Sequence, residues 1–473
     1  MKTDLGATAL ALLAVAASAA RAEDEAVARI VGAAMSRGGA AAFLERLADG
    51  VGGRITGSSE SQAAAELLLA TLREAGFANA RFEEYPLASR WKRGRASVRI
   101  SSPVDRPLFV TSYGWTPGTA GRILAPVVDL GAPASDDLSA SGKSLRGVAV
   151  VLEPRAREGV PALVVRTNLV RAAARAGAAA VLIPVDKPHR LLYTSAFGFY
   201  PRGPVPVIAL AREDTLKLRR LLAKGPVELA LDVENTFETG AASERNVIAD
   251  IPGSSPDEIV LVGCHFDSWD PADGANDDGS GVAAVLEAAR ILKSLGVAPR
   301  RTLRFAFFSG EEQALLGSRA YVSSHAAELD RLRAVLIMDS GAQRPRGFEI
   351  HGRKDLEESA RRLLLPLAPL GAANVSLEAS FDMDHGPFLA AGVPVLTLWV
   401  DDGEYRTHHH AITDTFDKVD PIHLSLGTAV MAATAYLAAN APEPLGRRLG
   451  AEEAAELLKR VHLDASRRIV YEE

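Results

Sequence analysis

Four predominantly apolar runs, residues 259–262, 303–308, 334–338 and 393–400, mark the second half of the chain. Between them, segments 281–295, 314–323 and 357–367 repeat apolar residues at three- and four-residue spacing. Runs without polar alternation read as strands buried on both faces, and the spaced segments read as helices. Their alternation predicts a parallel sheet covered on both sides, with ligands gathered at the carboxyl ends of its strands. Upstream, residues 59–76 predict a helix capped by Ser59 or Ser61 and ended by Gly76. Residues 108–238 differ in texture, being rich in Pro, Gly and β-branched residues. Strands are expected there at 148–152, 178–183 and 206–210, and helices at 167–176 and 212–223, without a cluster of catalytic side chains. That block reads as an insertion. Residues 450–473 predict one terminal amphipathic helix.

Composition narrows the class. The 473 residues are 48% hydrophobic and 24% charged, as in a folded chain. With 53 basic and 59 acidic residues the net charge is −6, which argues against a nucleic-acid partner. Met1-Lys2, an apolar run over 5–20 and the small residues Ala20 and Ala22 predict a signal peptide over residues 1–22 and a secreted or periplasmic protein. The run falls short of the ~18–20 apolar residues that span a bilayer, so no stable membrane insertion is expected. A single cysteine, Cys264, excludes a disulfide framework and thiolate-rich zinc sites. Any metal must be held by His, Asp and Glu.

Those residue types leave the apolar runs at one edge. The first ends in His265-Phe266-Asp267, the second in Glu311-Glu312 and the third in Asp339. Asn276-Asp277-Asp278-Gly279 lies between the first strand and its helix, and Thr407-His408-His409-His410 with Asp414 follows the fourth strand. Ionised groups gathered at a buried edge are costly unless cations neutralise them. Carboxylates with imidazoles and no thiolate suit zinc or another divalent first-row ion. Two ions ~3.5–4 Å apart sharing one bridging Asp would use such a set and leave one carboxylate as a general base.

In order and spacing these pieces resemble the M28 family of zinc metallopeptidases, in particular its carboxypeptidase Q subgroup. Trp91-Lys92-Arg93-Gly94, Asn246-Val247, Ser268-Trp269-Asp270 and the paired His409-His410 add to the likeness. The resemblance implies a three-layer α/β/α mixed sheet of the phosphorylase/hydrolase type. It implies a peptidase domain split into residues 23–107 and 239–443 by a protease-associated (PA) domain at 108–238, with a helical tail at 444–473. It implies two zinc ions, one on His265, Asp277 and Asp339 and the other on Asp277, Glu312 and His410, with Glu311 as general base. Asp267 and Asp414 would orient the imidazoles, and His409, Tyr405 and His385 are candidates for stabilising the transition state. The implied activity is hydrolysis of dipeptides or short peptides, carboxypeptidase Q-like, with an aminopeptidase on the same metals as the alternative. A homodimer is left open.

Blander readings stand beside these. His325, His351 and His423 read as structural, and Asp278 can cap the following helix instead of binding metal. The M20 type of two-zinc hydrolase also uses His-x-Asp and Glu-Glu, but its bridging Asp usually precedes Lys-Gly, whereas Asp277 precedes Asp278-Gly279. A metal-free binding protein of the same architecture is the reading from a different class.

Overall fold

The computed structural model describes residues 21–36, 38–158, 160–198, 202–238 and 240–471. The signal peptide expected over 1–22 lies outside them except for its last two residues, which open a helix over 21–36.

The chain builds two eight-stranded sheets and a two-stranded ribbon. The first sheet comprises β1 (Arg81–Leu87), β2 (Ala242–Ile251), β3 (Ser255–His265), β4 (Arg301–Phe308), β5 (Leu332–Ile337), β6 (Pro345–Glu349), β7 (Asn374–Ser376) and β8 (Val395–Val400), in the spatial order β1-β2-β4-β3-β5-β8-β6-β7. Its centre, β4-β3-β5-β8, is parallel, as the four apolar runs predict. Its flanks are mixed: β1, β2 and β4 pair antiparallel, as do β6 and β8, while β6 and β7 are parallel. Helices α1 (Gly39–Val51), α2 (Ser59–Glu74), α3 (Ser280–Ser294) and α4 (Pro421–Asn440) share one apolar core with this sheet. The opposite face packs residues from Leu315 to Leu329, Phe388, Leu389, Leu457 and Leu458. Three layers result, with both faces covered.

Helix α4 begins where Asp420 accepts from the amides of Ile422 and His423 at 2.7 and 3.0 Å, with Pro421 in the first turn. It is the one helix among the described residues long and apolar enough to cross a bilayer, yet 72% of its apolar window is buried in the protein. A helix apolar on all sides belongs in a core. The cap of α2 is Ser58, whose side chain accepts from the Ser61 amide, rather than the expected Ser59 or Ser61. The expected single terminal helix is two, Ala451–Arg460 and Asp464–Tyr471, broken where His462 takes a left-handed φ of 60°.

The second sheet runs in the order Arg106–Leu108, Ala96–Ser102, Glu228–Val233, Ile123–Asp129, Ala149–Val151, Ala180–Pro184, Val207–Leu210, Val110–Ser112. It takes in strands upstream of the boundary expected at residue 108, because Ala96–Ser102 pairs with Glu228–Val233. Four adjacent strands, Ile123–Asp129, Ala149–Val151, Ala180–Pro184 and Val207–Leu210, are parallel. Helix Ala162–Arg175 starts five residues earlier than expected, and its buried residues join a core separate from those of the first sheet. The ribbon of Arg90–Lys92 and Thr236–Glu238 marks where the chain leaves and re-enters the first sheet's body.

Candidate metal centre

Strand β3 carries His265 to the sheet edge, and the chain is then held by a residue that no motif announced. Arg54, fully buried, donates from Nε to Phe266 O at 2.7 Å, from Nη1 to Asp273 O at 2.6 Å and from Nη2 to Gly274 O at 2.9 Å. Burial pushes its guanidinium down to about 10. One side chain thus clamps both ends of the loop that presents Asp267 and leads to Asp277. Cys264, just beneath, is buried, and burial raises its thiol well above the ordinary value. Asp278 accepts from the amide of His265 at 3.3 Å and from that of Gly281 at 3.0 Å, so it ties β3 to the start of α3. A Cβ at position 281 would sit 2.3 Å from both Asp278 oxygens, so only glycine permits that approach. The Asp277–Asp278 peptide is cis.

Six of the predicted side chains converge. His265 Nε2 is 3.4 Å from Asp277 Oδ1, 3.6 Å from Asp339 Oδ1 and 4.0 Å from Glu311 Oε2. His410 Nε2 is 3.1 Å from both Asp277 Oδ2 and Glu312 Oε2. The adjacent Glu311 and Glu312 therefore address different imidazoles. His265, Asp277 and Asp339 offer one ligand atom each within 4.8 Å of one another, and so do Asp277, His409 and His410. His409 is closer to the centre than its neighbour's motif suggested: its Nε2 lies 3.5 Å from Asp277 Oδ2 and its ring stacks on His410 at 3.9 Å. Glu312 joins the second group through His410.

The donor set fits a pair of divalent cations. Asp277 Oδ2 lies buried between two imidazoles yet has no hydrogen-bond partner, and Glu312 Oε1 is likewise buried and unpaired. Such orphaned anionic oxygens are expensive unless a cation meets them. Without one, burial pushes Glu312 up to about 7 and Glu311 well above the carboxylate range, with His265 opposing the latter and Asp339 adding to it. Burial works to lower the imidazoles, but Asp339 and Glu311 around His265, and Glu312 around His410, outweigh it and raise both. The site is short of positive charge.

The remaining candidates sort by contact. Asp267 accepts at 3.2 and 3.3 Å from the amides of Glu311 and Glu312 and at 2.9 Å from Thr56 Oγ1. It faces His265 Nδ1 mainly through its backbone carbonyl, at 3.0 Å, with the carboxylate at 3.5 Å. Asp414 does not orient His410 as expected. It accepts from the amides of Asn276 and Asp277 at 2.7 and 3.1 Å, because the 414 turn packs against the Asp277 loop. His385 is turned away from the centre, stacked on His351 at 4.0 Å and hydrogen-bonded to Ser380 O at 2.9 Å. In the Asp384-His385-Gly386-Pro387 element, read from the sequence as either a turn or a neighbour of the metals, Asp384 is the buried group: neither oxygen has a hydrogen-bond partner, and burial pushes it up to about 7 against the pull of His265. Tyr405 lies against Gly341, 5.2 Å from the His409 ring, and burial beside Asp277 and Asp339 raises its phenol well above the ordinary value. The second sheet's body reaches the same place. Tyr193 stacks on His410 at 5.3 Å, Thr194 donates its amide to His410 O at 2.9 Å, and Lys187 donates to Thr407 O at 2.8 Å.

The signature of peptidase family M28 matches residues 246–435. Carboxypeptidase Q of Mus musculus is 30% identical over 413 residues, covering 85% of this chain and 86% of the mouse protein. The Mycobacterium tuberculosis protein named Probable lipoprotein aminopeptidase LpqL is 29% identical over 453 residues, covering 86% of this chain and 85% of that one. The crystal structure of a peptidase M28 precursor from Shewanella amazonensis superposes with a TM-score of 0.80 at 29% identity, covering 91% of this chain and 99% of that one.

Proposed function

From the premise that the chain belongs to peptidase family M28, we propose that it is an exported two-zinc exopeptidase acting on dipeptides or short peptides. One ion would be held by His265, Asp277 and Asp339, the other by Asp277, Glu312 and His410, with His409 beside the second. The observation that carries this reading is Asp277: its two oxygens face imidazoles on opposite sides, and Oδ2 is buried without a partner. When bound, the ions supply Lewis-acid polarisation of the scissile carbonyl and acidify water. Glu311 takes the proton of the attacking water and passes it to the leaving nitrogen. Its carboxylate lies within 4.0 Å of His265 Nε2, and its backbone is pinned through Asp267. Tyr193 and Trp269 border the His410 ring and Tyr405 borders that of His409.

The second sheet is assigned as the PA module, whose segment 187–194 closes over the His410 loop and takes part in choosing the substrate. Export is supported by the composition of residues 1–22. The likeness to carboxypeptidase Q favours cleavage beside a free carboxyl terminus, and the likeness to LpqL favours the aminopeptidase alternative. Metal analysis of the isolated protein should find close to two zinc ions per chain. Turnover of a dipeptide with a blocked amino terminus against an aminoacyl anilide separates the two exopeptidase readings. A folded, zinc-supplemented protein that binds no ion would sink both.

A further inference from the structure

We propose that Trp269 is a positioning residue for Glu312, and that the second sheet's body holds Trp269 in place, so that one of the two ions depends on the docking of a module that supplies it no ligand. The inference rests on the two-zinc reading above and adds to it a residue and a route.

The observation is one short contact. Trp269 Nε1 donates to Glu312 Oε2 at 2.6 Å, and the same oxygen lies 3.1 Å from His410 Nε2. The last torsion of a glutamate is broad and roughly two-fold, so a carboxylate held at one end only can swing. An indole N–H is a donor and nothing else, so it fixes the carboxylate as acceptor without competing as a ligand. A hydrogen bond to an ionised acceptor is about twice as strong as a neutral one. The indole lies edge-on to His410 at 6.0 Å, so it borders two members of the same triad. No ring contact or hydrogen bond joins it to His265 or Asp339 among the described residues.

Trp269 is itself boxed in. A Cβ on Gly114, in the second sheet's body, would stand 2.3 Å from the indole ring, so the ring occupies space that only glycine leaves open. Trp115 meets Trp269 edge-on at 6.0 Å and stacks on Trp91 at 5.7 Å. Trp115 is fully buried with a left-handed φ of 55°, an unusual backbone state for a bulky residue that must be imposed by its surroundings. Arg93 lies 5.0 Å from the Trp91 ring and 6.0 Å from that of Trp269, and pairs with Asp270 at 2.8 Å. The indole is thus gripped by Gly114, Trp115 and Arg93, and Arg93 is in turn tied to the indole's own loop through Asp270.

Trp269→Phe keeps most of the ring packing and removes the N–H. In zinc titrations of the metal-stripped protein, one ion should bind about 10- to 100-fold more weakly while the other is unchanged. Turnover should recover at excess zinc, which a general loss of structure would not allow. Gly114→Ala, which pushes on the indole from the other body, should weaken the same ion several-fold, and it carries the test should Trp269→Phe fail to fold. Wild-type affinity for both ions in Trp269→Phe would overturn the role of the indole, and wild-type affinity in Gly114→Ala would overturn the route. A wild-type protein that binds no zinc would instead bring down the parent reading.

Discussion

Both large sheets deliver carboxylates to the carboxyl ends of parallel strands, and they deal with them in opposite ways. In the second sheet, Asp129 and Glu153 follow neighbouring strands, and Arg219 answers both, at 2.8 and 2.6 Å. In the first sheet, Glu311 and Glu312 follow β4 and Asp339 follows β5, and no Lys or Arg forms an ion pair with any of them among the described residues. The guanidinium of Arg54, on whose charge Asp267 and Asp277 act, is spent on backbone carbonyls. One sheet carries its counter-charge in its own sequence; the other leaves it to be supplied. The contrast lies in where a single type of residue is withheld, and it separates a structural module from a reactive one more sharply than topology does.

The largest expected break in that contrast is at Glu311 and Glu312. Glu311→Gln should lower kcat by about 10²–10⁴ with zinc still bound, because the amide cannot take a proton. Glu312→Gln should lose zinc along with activity. Steady-state rates and zinc content on both variants check this, and metal loss in Glu311→Gln alone would mean the roles are reversed. Next comes Arg54→Leu, which strands several buried carbonyls of the 266–274 loop. It should destabilise by about 3–5 kcal/mol in urea denaturation and weaken zinc binding, since the clamped loop orders His265 and Asp277. Arg219→Met makes the second sheet resemble the first by removing its counter-charge. Because the group is partly exposed, the cost should be only about 1 kcal/mol, with zinc content and kcat unchanged.

The smallest effect is a pH dependence far from the centre. His325 hydrogen-bonds to Glu83 at 3.0 Å, which raises the imidazole above its ordinary value. For Glu83, burial works upward, but His325 outweighs it and the carboxyl ends below its ordinary value. The histidine's share of stability is fully present below its unfolded pKa of about 6.5 and is lost as pH rises through the raised folded value. The glutamate's share is present above about 4.3 and lost as pH falls through its depressed folded value. His325→Gln should therefore lower the urea midpoint more at pH 6 than at pH 9. An equal drop at both would show that stacking on Tyr321, at 4.2 Å, is what His325 contributes.

Much of the first sheet was legible because burial on both faces writes a largely apolar run, and the four runs are interrupted only by Arg304 in β4 and Thr397 in β8. Strand β2 was not, since Glu244 and Asn246 sit buried within it. Glu244 is satisfied by the amide of Gly57 at 2.6 Å and by Ser61 Oγ at 2.9 Å, partners almost two hundred residues away in the chain. Helix α4 has apolar residues all round, so periodicity had nothing to detect. At the centre, motif spacing brought out the six side chains that converge, but spacing is blind to direction. It did not say that Asp414 turns toward backbone amides, that His385 stacks on His351, or that His409 shares Asp277 with His410. Arg54 left no signal, because its partners are carbonyls, which every residue has.

Cys264 has a practical consequence. It is the only thiol in the chain, it is buried, and burial holds it protonated far beyond neutral pH. Thiol reagents act on exposed thiolate, so native protein offers them no target. A cysteine introduced on any exposed face becomes the sole labelling handle, with no need to strip a background first. Paired labels on helix Arg212–Leu222 and at the exposed Ile422 would turn the seating of one body on the other into a measurable distance, with and without zinc.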